Sequence, residues 1–354
     1  MEKDKTIHRA LVFISIILAL WVMKTCSSVI LPFAIAIFIF MLVSPLVEKL
    51  KSLKIPTFLC IAIILVATAL FLIGFVYILI AMINIIVVEL PQYINKVNVF
   101  DEYVSSSIRD AFKMSHDEFP SIIAALNIDW SKQVKSLLTS LSSVSASIIG
   151  DLAMVIVYLL FLLMEQSTIF PKIRAAFPES RREAAELVKN ISQQTSRYLS
   201  VKILISLVTG VCFYLISLIS GMDFPLVWGV LAFLLNFIPT IGSIVVTLLA
   251  TLMAAIQFMP HWGVVFVVFF FFLLTEMILG NVIDPKLQGV QLNMSPLVIL
   301  VMLAIWGYIW GITGMFLAVP ITCVIQVICA SVPSLKPLGI ILSSGTSLEK
   351  DKGR

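Results

Sequence analysis

Charge is what this chain has least of. Of its 354 residues only 12% are Asp, Glu, Lys or Arg, while 60% are hydrophobic. A soluble domain carries about 25% charged residues. No soluble core encloses this much apolar surface, so the solvent is lipid and the class is a polytopic membrane protein. Histidine is scarce: His8, His116 and His261 stand far apart, which argues against a histidine-built metal centre. The five cysteines (Cys26, Cys60, Cys212, Cys323 and Cys329) form no CxxC pair and lie in or beside apolar runs, so they read as small packing residues. HExxH, G-x-S-x-G, P-loop and dinucleotide-binding patterns are all missing, which removes the common enzyme classes and any ATP-driven pump built from this chain alone. The sequence calls for no cofactor, no metal and no nucleic-acid partner.

What is present is a series of apolar segments, at about 10–23, 29–47, 56–88, 148–165, 201–220, 225–257, 262–283 and 296–331. A straight span takes about 20 residues, because the helix rises about 1.5 Å per residue through about 30 Å of hydrocarbon. The first segment follows a charged N-terminus and resembles a signal peptide. It lacks a small-x-small cleavage site, so it reads as a retained span. Lysine and arginine set the orientation. Lys3, Lys5 and Arg9, then Lys49, Lys51 and Lys54, place the N-terminus and the second loop in the cytoplasm. Residues 89–147 carry five basic against seven acidic residues and fall outside; 166–202 carry seven against three and fall inside. Lys336, Lys350, Lys352 and Arg354 place the tail inside as well. The parity closes only if the sixth and eighth segments, too long for one span and short for two, each end on the side where they began. That requires re-entrant hairpins, whose irregular backbone survives only where protein or a cavity surrounds it.

The polar regions are helical too. Ser180 and Glu183 form an S-x-x-E capping box ahead of a stripe of Ala184, Leu187, Val188, Ile191, Thr195 and Tyr198, expected to pack under the bundle. Outside, Val97, Phe100, Val104, Ile108 and Ala111 share a face, and Asp129 is placed to cap a helix bearing Val134, Leu137, Leu138 and Leu141.

The two long segments are copies of one plan. "MDFPLVWGVLAFLLNFIPTIGS" from Met222 and "NMSPLVILVMLAIWGYIWGITGM" from Asn293 each open on Pro-Leu-Val and reach a glycine, Gly242 or Gly314, 17 or 18 positions later. The spans before them run in opposite directions, the pattern of an inverted-topology repeat with broken helices. At such a tip one arm ends in free carbonyls and the next begins in free amides. Asn236, Pro239, Thr240, Gly242 and Ser243 make one candidate tip; Gly307, Gly311, Thr313 and Gly314, with Tyr308 and Trp310, make the other. Aromatic faces with a few polar groups suit a small polar solute. An ordinary proline kink is the plainer reading of either stretch alone.

Glu276 is the clearest intramembrane acid, and an acid there reads as a candidate for proton or cation coupling. Asn281 lies close by, and Asp284, eight positions on, falls toward the same broad face of an α-helix. Asp284 and Lys286 also read as a simple cap at the membrane edge. Glu165 and Lys202, at segment ends, read as snorkelling side chains. Two acids on one helix make a poor protease pair.

"NFIPTIGS", "GNVIDPKLQGVQLNMSPLV" and "WGITGMFLAVP" resemble the signature regions of the autoinducer-2 exporter family, the PerM-like permeases. The layout is similar over nearly the whole chain, and the specific motifs lie between about Pro225 and Pro320. Asn236, Pro239 and Gly242 match one signature, and Asn281, Pro285, Gly289, Pro296, Gly311, Gly314 and Pro320 the other, as shape-determining positions. The resemblance implies a secondary transporter of the bacterial or archaeal cytoplasmic membrane and a homo-oligomer, with a pentamer among its forms. Some members are linked to export of autoinducer-2, a quorum-sensing furanose derivative, and others to sodium or lithium exchange for protons.

The expected architecture is therefore all-α: a multi-pass protein with about six full spans and two inverted re-entrant hairpins whose tips meet near the midplane. Its parts are N-terminal spans (1–88), an extracytoplasmic helical region (89–147), a span with a cytoplasmic amphipathic helix (148–202), an inverted-repeat core (203–331) and a cytoplasmic tail (332–354). The expected function is export of a small polar metabolite of autoinducer-2 type, with a sodium/proton antiporter second and a non-transporting membrane scaffold third.

Overall fold

The computed structural model describes residues 2–89, 91, 93–116, 119–122, 130–176, 181–288, 294–332 and 335–343. All regular structure among them is helical. The helices are α1 (Glu2–Thr25), α2 (Ser27–Ser52), α3 (Thr57–Glu89), α4 (Tyr93–Phe112), α5 (Trp130–Ala176), α6 (Arg181–Ile219), α7 (Pro225–Leu235), α8 (Ile241–Phe258), α9 (Trp262–Glu276), α10 (Asp284–Gln288), α11 (Pro296–Ser331) and α12 (Lys336–Leu342). A π-helical stretch, Met277–Ile283, joins α9 to α10. Seven helical stretches among the described residues are long and apolar enough to cross a membrane. Large apolar side chains stand on their outward faces, with Phe58 79%, Phe71 66% and Leu70 65% exposed, as lipid requires.

The chain divides into two compact units. One holds Met1–Leu70, Asp151–Ile203 and Pro285–Arg354; the other holds Phe71–Gly150 and Leu204–Asp284.

In the second unit α6 and α7 run antiparallel in close contact. Gly210 lies against the carbonyl oxygen of Gly229, Gly229 against Tyr214, and Ser206 is hydrogen-bonded to Asn236. α8 then turns back, and α9 packs against it after a short turn at Met259–His261. Phe213, Trp228, Ala232, Val246, Ala250, Ala254, Val268 and Phe272 bury one core between these four helices. Phe213 stacks on Phe272 with centroids 4.3 Å apart. Outside this core α4 docks at one end, its Phe100 packed on the cluster and its Tyr103 ring against Trp262.

In the first unit, α2 follows α1 after a one-residue break at Cys26. Phe38 of α2, Tyr198 and Leu199 of α6 and Val319 of α11 share a core. The side chain of Gln166 donates to Ser44.

Several sequence expectations extend or change. The amphipathic stripe near 180–199 is continuous with the following span as α6, and Ile191, Thr195 and Tyr198 are buried. The helix that holds the span near 148–165 begins already at Trp130 and runs for 47 residues, with its apolar stretch at Ser147–Ile169. Ser180, Asp129 and Gly289 lie outside the described residues. The snorkelling reading of Lys202 fails. α6 starts at Arg181, so Lys202 stands in mid-helix rather than at an end, and it is only 3% exposed. Glu165 is exposed and pairs with Lys172 at 3.0 Å, as a boundary residue should.

Candidate transport site

The shared Pro-Leu-Val is a helix start: Pro225 and Pro296 occupy the first turn of α7 and α11, where a missing N–H removes no helix bond. The first of these helices is too short to be a span. α7 has 11 residues and rises only about 16 Å, so it cannot cross about 30 Å of hydrocarbon. It ends at Asn236, and α8 starts at Ile241.

Both ends of this α7–α8 hairpin are fastened at one base. The Gln257 side chain accepts from the Asp223 N–H and donates to the Gly221 carbonyl, each at 2.8 Å. Trp228 Nε1 donates to the Asp223 carbonyl at 3.1 Å. The Asp223 carboxylate accepts from the Tyr93 hydroxyl of α4 and lies 3.5 Å from the Lys96 ammonium. Burial and this neighbouring carboxylate push the Tyr93 phenol well above its ordinary value.

The tip lies at the other end. Thr240 has φ 63° and ψ −53°, and the Ile241 N–H closes onto the Pro239 carbonyl at 2.6 Å. This is the strained form of a γ-turn, centred on a β-branched residue. Gly242 comes next, so close to the first arm that a Cβ there would lie 1.7 Å from the Leu235 carbonyl oxygen. Asn236 is buried and its amide donates to Ser206 Oγ at 3.0 Å. Ser243 Oγ donates to the Thr240 carbonyl at 3.2 Å.

Depth brings Glu276 to this level. From the base, α9 rises about 21 Å to Glu276, and α6 rises about 20 Å between Ile219 and Ser206. Glu276 lies on the buried stripe of α9 that also carries Val265, Val268 and Phe272. Ser206, Asn236 and Glu276 are thus buried polar residues at similar depth within one unit. The helix immediately beyond Glu276 widens to the π form, and a Cβ on Gly280 would lie 3.7 Å from Glu276 Oε2. Asn281 is exposed and Asp284 half-buried.

The other tip belongs to the other unit and repeats the plan. α11 breaks at Trp310 and Gly311, where Gly311 takes φ 63° and ψ −145°, a conformation open essentially to glycine alone. A Cβ on Gly314 would lie 2.0 Å from the Trp306 carbonyl oxygen, the counterpart of Gly242 and Leu235. Gly307 packs on Met315, and Thr313 is half-buried beyond the break. The base is closed by α12: the Ser295 N–H donates to the Leu342 carbonyl at 3.1 Å, and Gly339 abuts Ala330. The two ends of α11 therefore lie together. At the tip Trp310 Nε1 donates to the Met23 carbonyl at 2.9 Å, and the Lys24 ammonium sits 3.4 Å over the Tyr308 ring. Trp306 is buried with its indole N–H unpaired.

Sequence reasoning does not single out Ser206 or Trp306, and it misplaces Lys202. Ser206 and Trp306 carry no charge to draw attention in an apolar run, and the helix end to which hydropathy assigns Lys202 does not exist.

The residues from 10 to 334 match the model of the AI-2E family transporters. The chain belongs to the AI-2E transporter family. A candidate transport protein of Borreliella burgdorferi is 32% identical over 327 residues, 92% of this chain and 87% of that one. The AI-2 transport protein TqsA of Escherichia coli is 27% identical over 329 residues, 90% and 91% of the two chains. The E. coli candidate transport protein YhhT is 28% identical over 97% of each chain. This AI-2E family member is a multi-pass membrane transporter.

Proposed function

We propose that this AI-2E family transporter is a secondary exporter of a small polar metabolite of autoinducer-2 type. It works in a bacterial or archaeal cytoplasmic membrane with both termini in the cytoplasm. The observations that carry the reading are the buried Ser206–Asn236 pair beside a strained tip whose first arm is too short to cross lipid, and a buried Glu276 in the same unit. A kinked structural helix has no need of them. The similarity to TqsA supports the substrate class. Asn236, Pro239, Thr240, Gly242 and Ser243 shape one tip of the pathway, Gly307, Gly311, Thr313 and Gly314 the other, and Asn281 and Asp284 its approach. The protein needs no cofactor, and Glu276 couples transport to protons or sodium. The family resemblance supports a homo-oligomer, a pentamer among its forms, which native mass measurement in detergent tests.

Sodium or lithium exchange for protons is the second reading, favoured by the burial of Glu276. Proteoliposomes loaded with autoinducer-2 and carrying a proton or sodium gradient separate the two. Gradient-dependent autoinducer-2 efflux that Glu276→Gln uncouples is the expected result. Sodium/proton exchange without solute flux selects the second reading, and absence of both sinks transport by these tips.

A further inference from the structure

A left-handed residue is ordinary just past a helix and unusual just ahead of one. Among the described residues four non-glycine side chains take a positive φ: Lys54, Lys113, Phe224 and Thr240. Lys54 and Lys113 follow α2 and α4, where a left-handed residue is a common way for a helix to stop. Phe224 and Thr240 instead stand directly before α7 and α8. A residue there is normally extended, with its side chain bonded to an amide of the first turn. Phe224 has φ 62° and ψ 45°, Thr240 has φ 63° and ψ −53°, and neither makes such a bond. The first arm and its turn are therefore bracketed by unfavourable backbone, on an aromatic and a β-branched residue.

Strain of this kind persists only where the surroundings enforce it. At Phe224 they include the first turn of α4. Tyr93 and Lys96, three positions apart, share a face of that helix. The Tyr93 hydroxyl donates to the Asp223 carboxylate, and the Lys96 ammonium lies 3.5 Å from it. The Tyr93 ring meets the Phe224 ring with centroids 5.3 Å apart, and the ammonium stands 4.3 Å over the Tyr93 ring. The rest of α4 is held separately. Phe100 packs on the core, Tyr103 on Trp262, and Arg109 donates to the Phe119 and Pro120 carbonyls. Its first turn is thus free to let go while the helix stays docked.

The contact under α7 suits a slide. Gly210 and Gly229 bring α6 and α7 so close that a Cβ on either would lie 2.7 or 2.9 Å from the carbonyl oxygen of the other. No side-chain ridge interlocks the helices at that point. Trp228 and Ala232 keep α7 in the core, so its available motion is a small shear rather than a swing outward. At the tip end the bond from Asn236 to Ser206 ties the arm to α6.

We propose that the first turn of α4 is a latch on the first arm of the hairpin. Tyr93 and Lys96 hold Asp223 and Phe224 in the strained resting conformation, and their release lets α7 slide along α6 and shifts Asn236 at the tip. The proposal rests on the reading of this hairpin as a transport element and adds the device that controls it. Hydrogen exchange of the full chain in lipid nanodiscs tests it, with the amides of α7 compared with those of α9.

In Tyr93→Phe/Lys96→Met both polar holds are lost and the aromatic contact stays. The expected result is exchange about tenfold faster in α7, with α9 within about twofold of wild type. Adding Thr240→Gly relieves the strain at the other end and slows α7 again by about threefold or more. In proteoliposomes the latch-free double variant exports autoinducer-2 with a maximal rate raised about threefold and a KM within about twofold. Equal acceleration in α7 and α9 is general loosening and overturns the latch. Unchanged exchange in α7, or no slowing by Thr240→Gly, overturns it too. A faster-exchanging α7 with an unchanged or lower maximal rate overturns its control of transport. If the wild type exports no solute the transport reading falls, and the exchange rates still decide the latch.

Discussion

Thr240 is held in a conformation that a β-branched residue avoids, φ 63° with ψ −53°. Strain of this kind is about 1–3 kcal/mol and survives only where surrounding structure enforces it. Glycine adopts the same turn without that strain, so Thr240→Gly raises the thermal midpoint in detergent, and an unchanged or lower midpoint refutes the strain. The tip glycines behave oppositely. Gly242→Ala and Gly314→Ala each drive a Cβ into a backbone carbonyl, at 1.7 and 2.0 Å, where no side-chain rotation relieves the clash. Each costs about 3 kcal/mol or more, enough to cut the yield of folded protein. Gly263→Ala, with nothing within 4 Å, is the matched control and leaves folding intact. Equal behaviour of all three variants by size-exclusion yield and unfolding midpoint contradicts the assigned contacts. At this scale the sequence is informative where a residue type is forced. Pro225, Pro296, Gly242, Gly311 and Gly314 announce starts, breaks and close approaches because few residues serve there. Ser206 and Trp306 are invisible in it, since what matters is the neighbour each meets or fails to meet.

An element's meaning depends on where its ends are fastened. The α7–α8 hairpin is closed at its base by Gln257, Asp223 and the Tyr93 of α4. Tyr93 is buried, and burial together with the Asp223 carboxylate raises its pKa above the ordinary 10.0. A raised folded-state value means that the folded protein holds this proton more tightly than the unfolded chain does. Its stabilising contribution is present in full below pH 10.0 and fades as pH climbs from there through the folded value. The unfolding midpoint should therefore drop more steeply above about pH 10 in the wild type than in Tyr93→Phe. At neutral pH Tyr93→Phe loses a hydrogen bond to a charged acceptor, about 1.5–3 kcal/mol. Parallel midpoint-versus-pH curves for the two proteins count against this docking. The charge count foretells that the segment turns back, and the matched Pro-Leu-Val and glycine positions foretell the break. The clasp is not legible, because Tyr93 and Asp223 are 130 positions apart and neither belongs to a pattern. The π stretch after Glu276 is equally hidden: its residues are good helix formers, and the wider turn is imposed by tertiary packing.

For the whole molecule, composition points to lipid as the solvent and basic residues to an expected orientation, but neither marks the compact units. Their boundaries fall at Leu70/Phe71, Gly150/Asp151, Ile203/Leu204 and Asp284/Pro285. The first three lie inside the continuous helices α3, α5 and α6, where hydropathy carries no signal of a change. The path through the bilayer is a stronger sequence inference, because each helix that crosses must reverse the side. α3 has 33 residues and a rise of about 50 Å, so it crosses once and its two ends lie on opposite faces. The ends of α11 lie together, so Ser331 stays on the side of Ser295. Single cysteines at three exposed, uncharged positions read this path without altering the basic residues that set it: Ser52→Cys before α3, Met114→Cys after α4, and Ser331→Cys at the end of α11. The five native cysteines are replaced first, since Cys26 is exposed and would label on its own. In spheroplasts a membrane-impermeant maleimide should label Met114→Cys at once, and the other two only after permeabilisation. Labelling of Ser52→Cys and Met114→Cys from the same side removes α3 as a span. Labelling of Ser331→Cys from outside means that α11 crosses, and a crossing α11 cannot present Gly311 and Gly314 as the tip of a re-entrant hairpin.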